Sequence, residues 1–162
     1  GDRQWRGTTR FTIQKAVELG VRDIVPVESR RSVLRLSGER AGKRVAHWQG
    51  VVASACEQCG RNQVPLVAPL EKLESWLARP AHGVLRLMLA PDAEQTLASI
   101  SPVGEVQLLI GAEGGLDPQE VLAAKSAGFQ AVRMGPRVLR TETAGLAALA
   151  ALQALWGDFR GE

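Results

Sequence analysis

The sequence lacks a long apolar run, and this absence excludes the simplest kind of membrane protein. No stretch of 18 apolar residues occurs, and no signal-peptide pattern is present. We therefore expect a soluble, cytoplasmic protein with no membrane partner. At 162 residues, of which 45% are hydrophobic, the chain fits one domain with a substantial core and is not expected to be disordered. A net charge of +3 is compatible with RNA binding but does not require it.

Cysteine is scarce, and its spacing indicates neither a zinc site nor a redox site. Cys56 and Cys59 form a single C-x-x-C, with no second pair elsewhere. A zinc site with four ligands would need further partners, and His47 and His82 do not have zinc-finger spacing. A redox role would need a thioredoxin-like context, which is absent. We interpret both residues as ordinary thiols and expect no metal.

Strand and helix patterns alternate along most of the chain. The predicted strands are Asp23–Val27, Val84–Pro91, Val106–Ile110 and Ala131–Met134. The predicted helices are Phe11–Leu19, Lys43–Cys59, Leu70–Leu77, Ala93–Ile100, one that starts at Pro118 and continues over Leu122–Ala127, and Thr143–Trp156. This alternation predicts an α/β fold with a mostly parallel sheet flanked by helices. The last helix carries no charged residue, so we expect it to be buried on several sides, as at a dimer interface.

A glycine-rich loop follows the strand Val106–Ile110. Its five residues, Gly111 to Gly115, include three glycines, which allow backbone amides to approach a ligand closely. Asp117 is a predicted N-cap, and Glu120 has the spacing of a capping box. The loop has neither the G-x-G-x-x-G nor the P-loop pattern, and Glu113 would repel a phosphate. A cationic or neutral adenosyl ligand therefore suits the loop better.

A second junction from strand to helix occurs at Gly135–Ala144. Gly135 and the proline after it predict a turn where the strand ends. Thr141 or Thr143 is predicted to cap the final helix, with Glu142 in its first turn. Ligands bind at such junctions in open α/β sheets. Taken alone, the pattern fits a capped helix with solvated charges equally well.

These two junctions together resemble the ribosomal RNA small subunit methyltransferase E family. Three earlier runs are similar to that family's QKATELGV, SERSV and EQSGR motifs, namely Ile13–Val21, Ser29–Val33 and Glu57–Arg61. The resemblance extends from about Phe11 to Trp156. It implies a SPOUT-type α/β fold whose C-terminal trefoil knot forms the cofactor pocket, and a homodimer. It also implies an S-adenosylmethionine-dependent methyl transfer to N3 of a uridine in 16S ribosomal RNA, either free or in the assembled small subunit.

The resemblance also implies roles for particular residues. Arg140 is expected to stabilise the developing uracil anion, while Glu142 orients Arg140 or accepts the N3 proton. The structural alternative is that these two side chains pair and cap the helix. RNA contacts are expected from Arg30 or Arg31, and from Arg61. Expected cofactor contacts are Met88, Leu89, Ala90, Ile110, Gly111, Glu113, Gly114, Gly115, Met134, Gly135, Val138, Leu139, Thr143 and Ala144.

The chain departs from the family pattern in two respects. Ala112 stands where the family usually has proline, which loosens the loop but removes no ligand atom. The family's N-terminal PUA-like RNA-binding domain has no room here, so we expect a fragment, or a chain from which that domain was removed. We assign residues 1–10 to a terminal or linker segment and residues 11–162 to the methyltransferase domain.

Two other functions stay open at this point. A related SPOUT enzyme could methylate a ribose hydroxyl or another base, although the Ser29–Val33 and Glu57–Arg61 runs argue against this. A non-catalytic RNA-binding module could keep the fold without turnover. The glycine loop and Arg140 argue against that second alternative, and a failure to bind cofactor would support it.

Overall fold

The computed structural model describes residues 13–31, 39–100, 105–111, 115–157 and 159, without the side chains of Thr141 and Glu142. The predicted boundary near residue 11 therefore lies outside the described residues. The chain divides into two compact units. Unit 1 comprises Gly1–Pro26, Arg35–Leu70 and Leu149–Glu162, and unit 2 comprises Val27–Leu34 and Glu71–Ala148.

Helices and strands alternate as the sequence predicts. The helices are α1 (residues 13–18), α2 (Glu39–Cys59), α3 (Leu73–Leu77), α4 (Pro118–Ser126) and α5 (Thr141–Trp156), and Leu97–Ser99 is a short 3-10 helix. The strands are β1 (Asp23–Ile24), β2 (Val27–Glu28), β3 (Leu66–Val67), β4 (Glu71–Lys72), β5 (Val84–Leu89), β6 (Gln95–Thr96), β7 (Glu105–Leu109) and β8 (Phe129–Arg133). Every strand pairing among the described residues is parallel. The α/β fold with a parallel sheet and flanking helices is confirmed.

Unit 2 is built on a four-stranded sheet with the order β6-β8-β5-β7. Met88 on the central strand β5 lies opposite Leu109 of β7 and Ala131 of β8. Because all these strands are parallel, β5, β7 and β8 end at the same edge, which we call the carboxyl edge. The opposite edge, where these strands begin, is the amino edge. The buried core of the unit contains Leu73, Leu77, Met88, Leu109, Ala124 and Phe129.

The start of α4 confirms the predicted capping box. The Asp117 side chain accepts a hydrogen bond from the Gln119 N–H at 2.8 Å, and Glu120 accepts one from the Asp117 N–H at 3.1 Å. Pro118 occupies the first helical position, where its missing N–H costs nothing. The connection from β7 through α4 to β8 places the start of α4 near the carboxyl edge and its end near the amino edge.

Unit 1 has a small parallel pair and a long helix. In the pair formed by β1 and β3, Asp23 lies opposite Leu66. Helix α2 is longer than predicted, beginning at Glu39. Its buried residues recur at helical spacing and are Trp48, Val51, Val52, Ala55 and Cys56. Gln49 holds the β3 segment to α2, because its amide group donates to the Pro65 carbonyl and accepts from the Val67 N–H.

Four secondary-structure predictions were wrong in detail. The predicted helix Leu70–Leu77 begins only at Leu73, because Glu71 and Lys72 form strand β4 and pair with β2. The predicted strand Asp23–Val27 is divided into β1 and β2, and Pro26 between them has no N–H to donate to a strand ladder. The predicted helix Ala93–Ile100 is instead strand β6 followed by the 3-10 helix, because Gln95 and Thr96 pair with the end of β8.

The fourth correction concerns the start of the last helix. Helix α5 begins at Thr141, so Arg140, and neither predicted threonine, occupies the cap position. The Arg140 carbonyl accepts the Ala144 N–H at 2.8 Å. Glu142 lies in the first turn, as predicted. Among the described residues, no helix has both the length and the apolar character needed to cross a bilayer.

Candidate active site

A cleft of about 690 Å³ lies at the carboxyl edge of the four-stranded sheet. Its walls come from the segments that follow β5, β7 and β8, and from the first turns of α4 and α5. Its volume lies within the usual range of pockets for small ligands, about 300–1,000 Å³. The carboxyl ends of parallel strands are the usual ligand site in open α/β sheets. The cleft is therefore the candidate active site.

The cleft brings together most of the residues predicted to contact the cofactor. Those that line it are Met88, Leu89, Ala90, Ile110, Gly111, Gly115, Met134, Gly135, Val138, Leu139 and Ala144. They come from three chain segments and one helix, which the sequence separates by up to 56 positions (Met88 to Ala144). Their contact with a cofactor stays a prediction.

The remaining predicted residues are placed differently. Thr143 is exposed on α5 and does not line the cleft, whereas Glu113 and Gly114 lie outside the described residues. Arg140 is exposed between Leu139, which lines the cleft, and the first residue of α5. The side chain of Glu142 is also outside the description. The predicted pairing of Arg140 with Glu142 is therefore open.

Two glycines shape the cleft wall after β7. A Cβ atom on Gly111 would lie 3.3 Å from the carbonyl carbon of Gly115 and from the backbone nitrogen of Leu116. The chain thus folds back on itself with almost no space for a side chain. Gly115 has a φ of +73°, a conformation that other residues adopt only at a cost. Both glycines bring bare backbone to the cleft, as the sequence predicts.

The first turns of α5 hold Ile110 in the cleft wall. A Cβ atom on Gly145 would lie only 2.6 Å from Cδ1 of Ile110. The Ile110 side chain therefore occupies the space that any other residue at position 145 would fill. Ala144, the neighbour of Gly145, itself lines the cleft. The position of Ile110 depends on the absence of a side chain at Gly145.

The sequence analysis missed part of the cleft. The missed residues are Pro91, Asp92, Leu116, Pro118, Val121, Leu122, Val132, Arg133 and Arg137. Asp92, Arg133 and Arg137 give a mostly apolar cleft its charged groups. The rule that ligands bind beyond strand ends could have identified Asp92 and Arg137, which follow β5 and β8. The α4 residues depend on how that helix is rotated, which no short motif indicates.

The predicted RNA-contacting arginines already make hydrogen bonds within the protein. Arg30 in unit 2 donates from Nη1 to Oε1 of Gln119 at 2.6 Å, and Arg31 follows it on the same exposed turn. Arg61 in unit 1 donates from Nη1 to the carbonyls of Val17 and Val21, at 3.0 and 2.7 Å. Arg61 thus satisfies carbonyls at the end of α1. An RNA contact for each arginine stays a prediction.

The two cysteines are free thiols at the end of α2. Cys56 is buried and Cys59 is exposed, and the sulfur of Cys56 lies 3.9 Å from the Gln63 carbonyl oxygen. In the described ranges, no three His, Cys, Asp or Glu residues are grouped in a way that could hold a metal ion.

Comparison with protein families and known sequences gives a consistent result. A family model described as an RNA methyltransferase domain matches residues 6–153. The chain is 38% identical over 149 residues to the ribosomal RNA small subunit methyltransferase E of Buchnera aphidicola subsp. Schizaphis graminum, covering 91% of this chain and 61% of that protein. It is 32% identical to the Bacillus subtilis protein of the same name, covering 94% and 63%.

Solved structures also resemble the chain. The ribosomal RNA small subunit methyltransferase E of Neisseria gonorrhoeae, bound to S-adenosylmethionine, shares 50% identity with a TM-score of 0.89 and covers 93% of this chain and 62% of that one. A Legionella pneumophila methyltransferase in complex with the same cofactor shares 37% identity with a TM-score of 0.86, with the same coverage. The chain spans about three fifths of the length of these relatives.

Proposed function

Because the chain belongs to the RNA methyltransferase domain family, which includes the ribosomal RNA small subunit methyltransferase E proteins, we propose that it is the methyl-transferring domain of such an enzyme. The proposed reaction moves a methyl group from S-adenosylmethionine to N3 of a uridine in 16S ribosomal RNA. The observation that carries the proposal is the glycine-walled cleft at the carboxyl edge. A relative with 50% identity and the same fold binds S-adenosylmethionine.

The cleft suits an adenosyl cofactor. Buried and half-buried apolar side chains such as Met88 and Leu89 offer a surface for a flat base. Around Gly111 and Gly115 the backbone is bare, so its N–H and C=O groups can form hydrogen bonds with the base and the ribose. Asp92 offers a carboxylate acceptor for a hydroxyl or an ammonium group. When bound, the cofactor supplies a methyl group already activated by the positive charge on sulfur.

The protein's contribution to the reaction is positioning and charge. A methyl transfer requires the uracil nitrogen in line with the donor, which a rigid cleft provides. The N3–H must also lose its proton, and a nearby cation stabilises the anion that forms. Arg140 is exposed beside the cleft, and in the part of the chain that the structure describes it makes no ion pair. We assign it the cationic role, with Glu142 orienting it or accepting the proton.

Four finer features belong to the same proposal. We infer the trefoil knot from family membership alone. We infer a homodimer because α5 carries no charged residue from Thr143 to Trp156, and because the apolar side chains of Leu122 and Val138 are exposed at the cleft. We also infer that the RNA partner is 16S ribosomal RNA or the assembled small subunit, and that the protein acts in the cytoplasm.

The proposal is tested by methylating small ribosomal subunits that lack the modification and identifying the modified nucleoside by mass spectrometry. The wild-type chain should produce N3-methyluridine. Arg140→Ala should slow this reaction at least about 100-fold, the usual effect of losing one group that stabilises a developing anion. Its affinity for S-adenosylmethionine should change less than about twofold, a difference below 1 kcal/mol.

The control for this test is Arg79→Gln, which removes an exposed arginine that pairs with Glu71. It should methylate at the wild-type rate. A methyl group on a ribose hydroxyl or another base would contradict the proposed reaction. A failure to bind the cofactor would favour the non-catalytic RNA-binding module.

A further inference from the structure

Glu120 connects the start of α4 to a segment 90 positions away in the sequence. Only 2% of this residue is exposed. One carboxylate oxygen, Oε1, accepts the Asp117 N–H of the capping box, and the other, Oε2, accepts the backbone N–H of Arg30, both at 3.1 Å. A buried carboxylate is stable only if its oxygens are hydrogen-bonded. Because each oxygen bonds a different segment, Glu120 holds the two segments in a fixed relation.

The Arg30 side chain adds a second connection to the same helix end. Its Nη1 donates to Gln119 Oε1 at 2.6 Å and lies 3.4 Å from Asp117 Oδ1, while its Nε is 4.0 Å from Glu74 Oε1. Half of the Arg30 side chain is exposed. Water and salt therefore screen these contacts, so they orient the segment more than they stabilise the fold.

The same helix end also forms a wall of the cleft. Leu116 and Pro118, on either side of the N-cap Asp117, line the cleft, and so does Val121 one turn into α4. Glu120 lies between Pro118 and Val121 in the sequence but points to Arg30. Any shift of the Arg30 segment that breaks the bonds of Glu120 therefore acts on the residues that line the cleft.

We propose that Glu120 is a positioning residue that couples RNA binding at Ser29–Arg31 to cofactor binding in the cleft. This inference rests on the proposed function, which assigns the cofactor to the cleft, and on the prediction from the sequence that RNA contacts Arg30 or Arg31. RNA that orders Ser29–Arg31 also orders the carboxylate bonded to it, and through that carboxylate the start of α4. Cofactor binding then costs less conformational entropy, because the wall of the cleft is already ordered. The effect is reciprocal, because coupling between two sites is a single free energy.

The test measures the affinity for S-adenosylhomocysteine, by calorimetry, with and without saturating unmodified 16S ribosomal RNA. The wild-type chain should bind S-adenosylhomocysteine at least about fivefold more tightly in the presence of RNA. This ratio is the lower end of the usual range for allosteric coupling. In Glu120→Gln the shape is kept, but the amide nitrogen cannot accept a hydrogen bond, so one of the two connections is lost. The ratio of affinities should fall below about twofold.

The matched control is Glu71→Gln, the same chemical change at a carboxylate that pairs with Arg79. Arg79 belongs neither to α4 nor to Ser29–Arg31, so this variant should keep the wild-type coupling. A loss of coupling in both variants, or in neither, would overturn the proposal. If the wild-type chain binds S-adenosylhomocysteine equally well with and without RNA, the proposed coupling is overturned but the proposed function is not.

Two further measurements keep the outcomes distinct. Gln119→Ala removes a side-chain acceptor of Arg30, at 2.6 Å, from an exposed position, so the chain should fold normally and its coupling should fall about twofold. Hydrogen exchange without any ligand should show faster exchange in Glu120→Gln of whichever amide, that of Arg30 or that of Asp117, has lost its acceptor. A wild-type chain that does not bind S-adenosylhomocysteine would overturn both the proposed function and the coupling. Unchanged hydrogen exchange in Glu120→Gln would mean that Glu120 does not connect the Arg30 segment to α4.

Discussion

The two edges of the four-stranded sheet hold opposite ends of α4, and each edge uses an arginine to do so. At the carboxyl edge, the half-exposed Arg30 bonds side-chain acceptors at the start of α4. At the amino edge Arg86, only 7% exposed, bonds the Ala127 carbonyl at the end of the helix at 2.8 Å. The carboxyl edge carries the cleft, and the amino edge has none of its lining residues. The difference indicates that one edge is built for binding and the other for stability.

Among the residues that the structure describes, buried Arg86 has no carboxylate partner, and its surroundings explain how it is accommodated. It donates to the Ala127 carbonyl, to the Arg79 carbonyl at 3.2 Å and to Gln107 Oε1 at 3.1 Å. Its guanidinium carbon lies 5.8 Å from the ring centre of Trp76 and 5.1 Å from that of Phe129. Aromatic faces attract cations, and the negative end of a helix dipole does so too. Arg86 thus joins the ends of α3 and α4 to β5.

The largest expected effect is therefore at the amino edge. Arg86→Met keeps the aliphatic volume but leaves two carbonyls without their donor, and should lower the free energy of unfolding by about 3 kcal/mol. Urea unfolding followed by circular dichroism measures this loss. The affinity of the folded fraction for S-adenosylmethionine should be unchanged, because the hydrogen-bond acceptors of Arg86 do not line the cleft.

The control for Arg86 is Arg79→Gln, since the Arg79 side chain is exposed and only pairs with Glu71. An exposed pair of this kind contributes less than about 1 kcal/mol. If the two variants lost equal stability, the buried network would not be the source of the effect. If Arg86→Met weakened cofactor binding at low temperature, the separation of the two edges would be wrong.

A smaller effect is expected at the carboxyl edge, at Gly145. Alanine should favour the helix by about 1 kcal/mol over glycine, but at Gly145 its Cβ would lie 2.6 Å from Cδ1 of Ile110 and must displace that methyl group, which offsets part of the gain. Gly50 of α2 is a matched control, because nothing lies within 4 Å of its Cβ position. Gly50→Ala should therefore stabilise the chain more than Gly145→Ala does.

The affinity for S-adenosylmethionine distinguishes Gly145→Ala from Gly50→Ala as well. Gly145→Ala should weaken S-adenosylmethionine binding, since Ile110 lines the cleft, whereas Gly50→Ala should leave it unchanged. Equal stabilisation by both alanines, with unchanged binding, would mean that Ile110 moves without consequence.

The carboxyl edge could largely be predicted from the sequence because its signals are local. Glycines that follow a strand, and an N-cap followed by glutamate three residues later, are short patterns with a direct geometric meaning. They identified Gly111, Gly115 and the capping box of Asp117 and Glu120. The family resemblance, and not a local pattern, pointed to Met88 and Met134, which also line the cleft.

The amino edge could not be predicted, because its contacts join distant residues. An arginine within a strand pattern suggests a side chain at the surface, and nothing near Arg86 in the sequence indicates that its acceptor is Ala127, 41 positions away. The second bond of Glu120 has the same character, since Arg30 is 90 positions away. The short β6 was missed for a related reason, as two residues become a strand only through their pairing with β8.

The smallest expected change in stability compares one glycine from each edge. Gly115 at the carboxyl edge and Gly83 at the amino edge have φ values of +73° and +70°, and neither has an atom within 4 Å of its Cβ position. Alanine at either position should cost about 1 kcal/mol, because the backbone strain is the same. Thermal unfolding of Gly115→Ala and Gly83→Ala should therefore give similar midpoints, and clearly different midpoints would mean that local packing adds to the strain.

Calorimetric titration of these two variants and the wild-type chain with S-adenosylmethionine tests the central claim most directly, namely that the carboxyl edge holds the cofactor. Wild-type and Gly83→Ala should bind with affinities within about twofold of each other, and Gly115→Ala should bind at least about tenfold more weakly, a loss near 1.4 kcal/mol. Equal weakening by both variants, or no saturable heat with the wild-type chain, would contradict the account.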